Sequence, residues 1–272
     1  MAPKISSDEY KQRVKAEFNS RTNYDNDFRD RLGNRLVELA QLTTGQTILD
    51  VATGTGIVAI AAAQIVGDEG KVIGVDISEG MLEQAQQKIA AANLKNIELQ
   101  EVDADYLNFS DESFDRILCS SALVYLSSIP AALRSWYRFL KKGGVVGFST
   151  FADGSFNLAM LFTEIAQNYG VFIPDLKAPL NTPEKCQSIL EEVGFKNTEI
   201  KVEQFGYYMS VSEVENLWNH LANNGLIKPI LNISSAELAE FKATYLTAAK
   251  KLETKQGIWN DVTTFFVLAQ KV

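Results

Sequence analysis

The chain has one histidine, His220, and two cysteines, Cys119 and Cys186, among 272 residues. That scarcity leaves no Cys/His set at metal-ligand spacing, and no metal site is expected. Both cysteines fall in apolar-periodic stretches, where a free thiol behaves as a small buried hydrophobe in a reducing compartment, so the expected location is cytoplasmic. Basic residues are outnumbered, 26 Lys and Arg against 34 Asp and Glu, for a net charge of −8. A surface of that sign has no general attraction for a phosphate backbone, which argues against a nucleic-acid partner. No apolar run approaches the ~20 residues of a membrane span, and the opening M-A-P-K-I-S-S-D-E is not patterned as a secretory leader. Internal repeats and low-complexity linkers are absent. What is present, 46% apolar and 22% charged residues, suffices for one substantial core and an accessory layer.

The chain is organised around Ile48–Gly56, I-L-D-V-A-T-G-T-G. Ile48, Leu49 and Val51 favour a short buried strand. Thr53-Gly54-Thr55-Gly56 is a tight turn whose glycines let backbone approach a ligand closely. Ile57 onward, I-V-A-I-A-A-A-Q-I-V, is rich in small helix formers suited to packing against a sheet. Strand, glycine turn and helix open a nucleotide-binding α/β fold. Gly54-x-Gly56-x-x-Ala59 also satisfies the loose dinucleotide fingerprint, with Asp76 as ribose acceptor, so an NAD-dependent oxidoreductase is one alternative. Asp50 argues against it. A carboxylate just before the turn repels a pyrophosphate but attracts the ammonium and sulfonium of S-adenosylmethionine (SAM).

With Asp50 and the turn after it, the sequence resembles the class I SAM-dependent methyltransferases, whose first motif is an acid followed by x-G-x-G-x-G. Ala52 stands where that motif has its first glycine. The resemblance implies a seven-stranded Rossmann-like α/β sheet in the order 3-2-1-4-5-7-6, with the last strand antiparallel and helices on both faces. Asp50, Ala52, Thr53, Gly54 and Gly56 then cradle SAM. Lys71–Asp76 is the second strand, and Asp76 at its end can accept from both ribose hydroxyls, with Ile77 beside it. Ser78 is available to cap the next helix, which removes the competing role for Asp76. By family position Met81 packs on the adenine, and Asp103 with Ala104 reads the adenine amino group and a ring nitrogen. Asp105 is expected to be a solvated turn residue.

The fourth strand ends in C-S-S-A-L-V-Y rather than the Asn/Asp/Ser-Pro-Pro-Tyr/Phe of enzymes that methylate base amines or amides. Cys119 and Ser120 are expected at the methionine end of SAM, and Tyr125 toward the substrate. An amphipathic helix from Ile129 ends in L-K-K-G-G, similar to the family's L-K-P-G-G turn, before a fifth strand at Val145–Phe151.

The expected organisation is an N-terminal helical lid over 1–45, a SAM-binding core over 46–151, 182–206 and 258–272, and a mainly helical cap. The cap is built from inserts 152–181 and 207–257, too long for plain connections. Related methyltransferases carry a Phe-…-Tyr-Asp segment that folds over the cofactor, which makes Phe18 and Tyr24 the lid residues. Phe156, Met160, Tyr207, Tyr208 and Trp218 are expected to line the cap over a small, partly apolar substrate. His220, Asp153 and Glu164 lie near the expected mouth, and no general base is assigned. The expected reaction is in-line transfer of the SAM methyl group to O, N or C of a small metabolite, leaving S-adenosylhomocysteine. A protein-directed methyltransferase is the other alternative.

Overall fold

Ile48, Leu49 and Val51 are all buried because strand β1 (Thr47–Val51) is central in the main sheet, between parallel β2 (Lys71–Asp76) and β4 (Phe114–Ser120). Successive side chains of a strand point to opposite faces, so a continuous apolar run feeds two cores. The computed structural model describes residues 7–22, 24–227 and 232–272. Residues 1–6 of the opening segment, Asn23 and residues 228–231, Pro229 among them, lie outside the described residues.

In chain order, α1 (Ser7–Asn19) and α2 (Asp27–Leu39) precede β1, and α3 (Ile57–Val66), β2, α4 (Glu79–Ala91), β3 (Ile97–Glu101), β4, α5 (Ile129–Phe139) and β5 (Leu140–Phe151) follow it. Next come α6 (Asn157–Gln167), α7 (Pro183–Val193), β6 (Lys196–Gln204), β7 (Tyr207–Met209), α8 (Val211–Asn223) and α9 (Ser235–Lys250). The strands β8 (Glu253–Thr254), β9 (Gly257–Asn260) and β10 (Thr263–Gln270) complete the chain. Seven strands form the main sheet in the order β3-β2-β1-β4-β5-β10-β6, with β10 antiparallel to both neighbours. This is the expected methyltransferase order, its last strand inserted between the fifth and sixth.

On one face Leu49, Ile117, Cys119 and Phe148 pack with Leu133 and Trp136 of α5 and Leu190 of α7. On the other, Ile48, Val72, Leu118 and Phe266 pack with α2 and α3. The small residues Ala59, Ala62 and Ala63 let α3 lie close to the sheet. Helix α2 approaches α3 so closely that a Cβ on Gly33 would stand 2.6 Å from Ile57 Cγ2. Residues 1–45 are therefore not wholly a lid: α2 is buried in the body of the fold, and α1 alone lies over the edge of the sheet.

Two boundaries differ from expectation. Strand β5 begins at Leu140, directly after α5, so the Lys-Lys-Gly-Gly stretch belongs to the strand, with Gly143 at φ +79°. Strand β9 joins a second antiparallel sheet, β7-β9-β8, so the core resumes at Thr263 rather than 258. The inserts form a helical layer with a core of its own, in which Phe162 of α6 packs on Trp218 of α8 and on Phe241 and Tyr245 of α9.

Candidate active site

Parallel β1, β2 and β4 end at one edge of the sheet, and each delivers a polar side chain there. Asp50 is fully buried and its Oδ2 accepts from Thr53 Oγ1 at 2.5 Å. Burial pushes its carboxyl up to about 7, against the Thr53 hydrogen bond and with help from the negative charge of Asp76. Asp76 is also buried and its pKa is raised by that burial. Its Oδ2 accepts from the Gly54 N–H and its Oδ1 from the Ser78 N–H, both at 2.8 Å. Ser78 caps α4 by accepting from the Met81 N–H at 3.2 Å, so capping falls to serine and leaves Asp76 for the cavity.

The turn after β1 reverses on left-handed backbone at Ala52 (φ 55°), Gly54 (φ 56°) and Gly56 (φ 82°). A Cβ at Gly54 would meet nothing within 4 Å, so the backbone there faces open space. A Cβ at Gly56 would stand 3.2 Å from that of Ala85, so this glycine serves the α3–α4 contact and does not line the cavity. Ala52 pays a steric cost in this conformation. Ala52→Gly is expected to raise stability by about 1 kcal/mol and Tm by about 2–4 °C in a thermal melt, with SAM affinity retained.

A cavity of about 390 Å³ opens over this edge, and a smaller one of about 70 Å³ shares part of its wall. Of the residues singled out in the sequence, Phe18, Tyr24, Ala52, Gly54, Asp76, Ile77, Met81, Asp103, Ala104, Ser120, Tyr125 and Phe156 line the larger. Asp50 and Thr53 line the smaller. Phe18 sits edge-on between Tyr24 and Tyr125, with ring centroids at 6.1 and 5.6 Å.

Helix α1 covers one side of the cavity. Lys11 binds Asp103 at 3.0 Å and Asp105 at 2.7 Å, Lys15 binds Glu101 at 2.6 Å, and Asn19 Oδ1 accepts from Ser78 Oγ at 2.7 Å. Asp105 is thus not a solvated turn residue. Burial opposes its charge, but Lys11 and Ser127 outweigh that and hold the carboxyl below its ordinary range. Asp103 keeps Oδ2 free of hydrogen bonds from the described residues, while Oδ1 takes Lys11 and the Asp105 N–H. Beyond α1, Asp25 binds Lys88 at 2.7 Å and accepts from Thr55 Oγ1, which ties the α1–α2 linker to the glycine turn.

Several expected residues lie elsewhere. Cys119 precedes Ser120 on β4, so it turns to the opposite face and packs under the sheet with Ile117 and Trp136; burial drives its thiol far above the ordinary range. Trp218 is buried in the helical layer against Phe162 and Phe241. Met160 is exposed on α6, and Tyr208, beside the equally exposed Tyr207, packs on Trp259 at 5.0 Å in the second sheet. His220 is exposed on α8 and, with Asp153 and Glu164, stays off the cavity wall. The aromatics of the inserts build a core for α6, α8 and α9, which sequence spacing cannot tell from a pocket lining.

The cavity also recruits residues with no sequence signal: Lys11, Arg21, Phe28, Arg29, Ser121, Phe151, Leu176 and Lys177. Arg29 borders both cavities, donates to the Tyr24 carbonyl at 2.7 Å and lies 4.1 Å above the Tyr24 ring. Among the described residues no carboxylate pairs with it. Ser121 (φ 58°) and Phe156 (φ 59°) share the left-handed strain of Ala52, so three such non-glycine residues stand on one wall. Phe156 is held there by its N–H to the Asp261 carbonyl at 2.7 Å and by Phe151, ring centroid at 4.7 Å.

A doubly wound sheet of this order, with buried acids at the ends of its first two strands and a left-handed turn between them, defines a class I SAM-binding fold. Comparison with known proteins agrees. Residues 48–144 match the methyltransferase domain family. The chain is 34% identical over 153 residues to the aklanonic acid methyltransferase DauC of Streptomyces sp. strain C5, spanning 54% of this chain and 70% of that protein. It is 33% identical over 172 residues to the demethylmenaquinone methyltransferase of Lactobacillus johnsonii, spanning 58% and 70% respectively. A SAM-dependent methyltransferase from Aquifex aeolicus superposes over 99% of this chain and all of its own, with a TM-score of 0.55 and 17% identity. The chain belongs to the SAM-dependent methyltransferase family, and its cofactor is SAM. No described helix is long and apolar enough to cross a membrane.

Proposed function

We propose that the enzyme methylates carbon or oxygen of a small, ring-bearing apolar metabolite, held in the part of the cavity next to Phe18, Tyr125, Phe151 and Phe156. The observation carrying this reading is that one cavity is lined by the buried acid Asp76 and by those four aromatic rings, and shares Arg29, Ala52, Gly54 and Ser120 with the smaller cavity that Asp50 lines. Relatives named for aklanonic acid and demethylmenaquinone support a ring-bearing acceptor.

SAM, when bound, supplies a methyl group already activated on a sulfonium. Asp76 holds the ribose hydroxyls, Asp103 Oδ2 and the Ala104 backbone hold the adenine, and Met81 and Ile77 pack on it. Asp50 and Arg29, facing the smaller cavity, hold the ammonium and carboxylate of the methionine end. Helix α1 with Phe18 and Tyr24 excludes water, which strengthens every charge contact inside. The remaining task of the chain is to align the acceptor, since an activated methyl group needs little else.

The test is release of S-adenosylhomocysteine on incubation with SAM and a panel of quinols, hydroxyanthraquinones and aromatic acids. Turnover with at least one ring-bearing acceptor is expected. Turnover confined to aliphatic amines would contradict the reading.

A further inference from the structure

The cavity is asymmetric in charge. Its two carboxylates, Asp76 and Asp103, stand at the ribose and adenine positions. The other charged side chains on the larger wall are all cationic: Lys11, Arg21, Arg29 and Lys177. Lys11 is engaged by Asp103 and Asp105 at 3.0 and 2.7 Å. Arg29 borders the smaller cavity with Asp50 and is matched to the methionine carboxylate. Arg21 and Lys177 are left to the apolar remainder.

Neither is saturated. Arg21 gives Nε and Nη2 to one oxygen of Glu17, at 3.1 and 2.7 Å, which leaves Nη1 without a partner among the described residues. Its guanidinium is fixed 4.7 Å above the Phe18 ring, so little orientation is lost when it meets a ligand. Lys177 Nζ pairs at 3.1 Å with Asp175, whose side chain is 42% exposed, a contact easily given up. Glu17 and Asp175 do not line the cavity, and no other protein carboxylate stands in that part of it among the described residues, so an anion placed there meets the open donors of Arg21 and Lys177 without a competing charge on the wall.

We infer that the methyl acceptor is an organic anion, a carboxylate, phenolate or enolate on an apolar ring system, and that Arg21 and Lys177 receive its charge. This rests on the cofactor reading above. It requires no general base, because an acceptor that arrives ionised has no proton to lose. The acceptor lone pair forms the bond to the methyl carbon as the carbon–sulfur bond breaks, and that electron pair stays on sulfur. Anion and sulfonium are both neutralised, and the methylated product leaves because it no longer binds the two cations.

The test is calorimetric titration of the protein, saturated with S-adenosylhomocysteine, with anthraquinone-2-carboxylate and with its neutral primary amide. At least tenfold tighter binding of the acid is expected. The preference should fall to within twofold in the Arg21→Gln/Lys177→Gln variant, with S-adenosylhomocysteine binding unchanged. Equal binding of acid and amide by the native protein, or binding of neither, overturns the inference while leaving the cofactor reading intact. A preference that survives in the double variant overturns the assignment of Arg21 and Lys177. Failure of the native protein to take up S-adenosylhomocysteine overturns the cofactor reading, and this inference with it.

Discussion

Asp76→Ala is expected to weaken SAM binding by roughly 2–4 kcal/mol, a loss of about 30- to 1,000-fold measured by calorimetry. On the proposed ribose contact, two charge-assisted hydrogen bonds go with the carboxylate. The same substitution strips the Gly54 and Ser78 N–H groups of their acceptor, both at 2.8 Å, so the glycine turn loosens as well. Asp76→Asn separates the effects, because its amide oxygen keeps one of these acceptors while the charge is gone. An affinity between those of the native and alanine forms is expected. Unchanged affinity in the alanine variant would remove Asp76 from the ribose.

The second large effect is on pH. In the folded protein Asp50 is pushed up to about 7 by burial, from an ordinary 3.8, with Thr53 opposing and Asp76 adding to the shift. The folded state therefore binds this proton more tightly than the unfolded chain does. Its contribution to stability is full at low pH and is lost as pH rises through 4 to 7, on the order of 4 kcal/mol across that window. Binding of an ammonium reverses the preference and draws the proton off. SAM affinity is expected to fall about tenfold per pH unit below 7, with about half a proton released per SAM bound at pH 7. Titration in buffers of different ionisation enthalpy measures that release. In Asp50→Asn the release should vanish, and the ligand-free protein should be more stable than native at pH 8. Proton release equal in the native and Asn forms would assign it to another group.

The core of this fold was legible because its signals constrain one another. Apolar runs ending in Asp50 and Asp76, a glycine turn between β1 and α3, and Ser78 available as a cap can be satisfied together in few ways. Ala52 is instructive: it departs from the family's glycine, yet the backbone keeps the left-handed conformation, and the departure costs strain rather than the turn. The inserts were less legible. Trp218 and Met160 sit at helical spacings that suit a pocket lining and a packed helical layer equally well, and only tertiary packing decides between them. Cys119 was misplaced by a single residue of strand alternation. Arg21, Arg29 and Lys177 could not have been read, because a cation in a polar stretch of sequence has no periodicity to show which way it faces.

The central claim, that Asp50, the glycine turn and Asp76 form a SAM site, is tested most directly by calorimetry with SAM, S-adenosylhomocysteine and NAD in parallel. Micromolar binding of the first two and none of NAD is the predicted result. Binding of NAD with no binding of SAM would contradict it and return Gly54-x-Gly56 to the dinucleotide fingerprint.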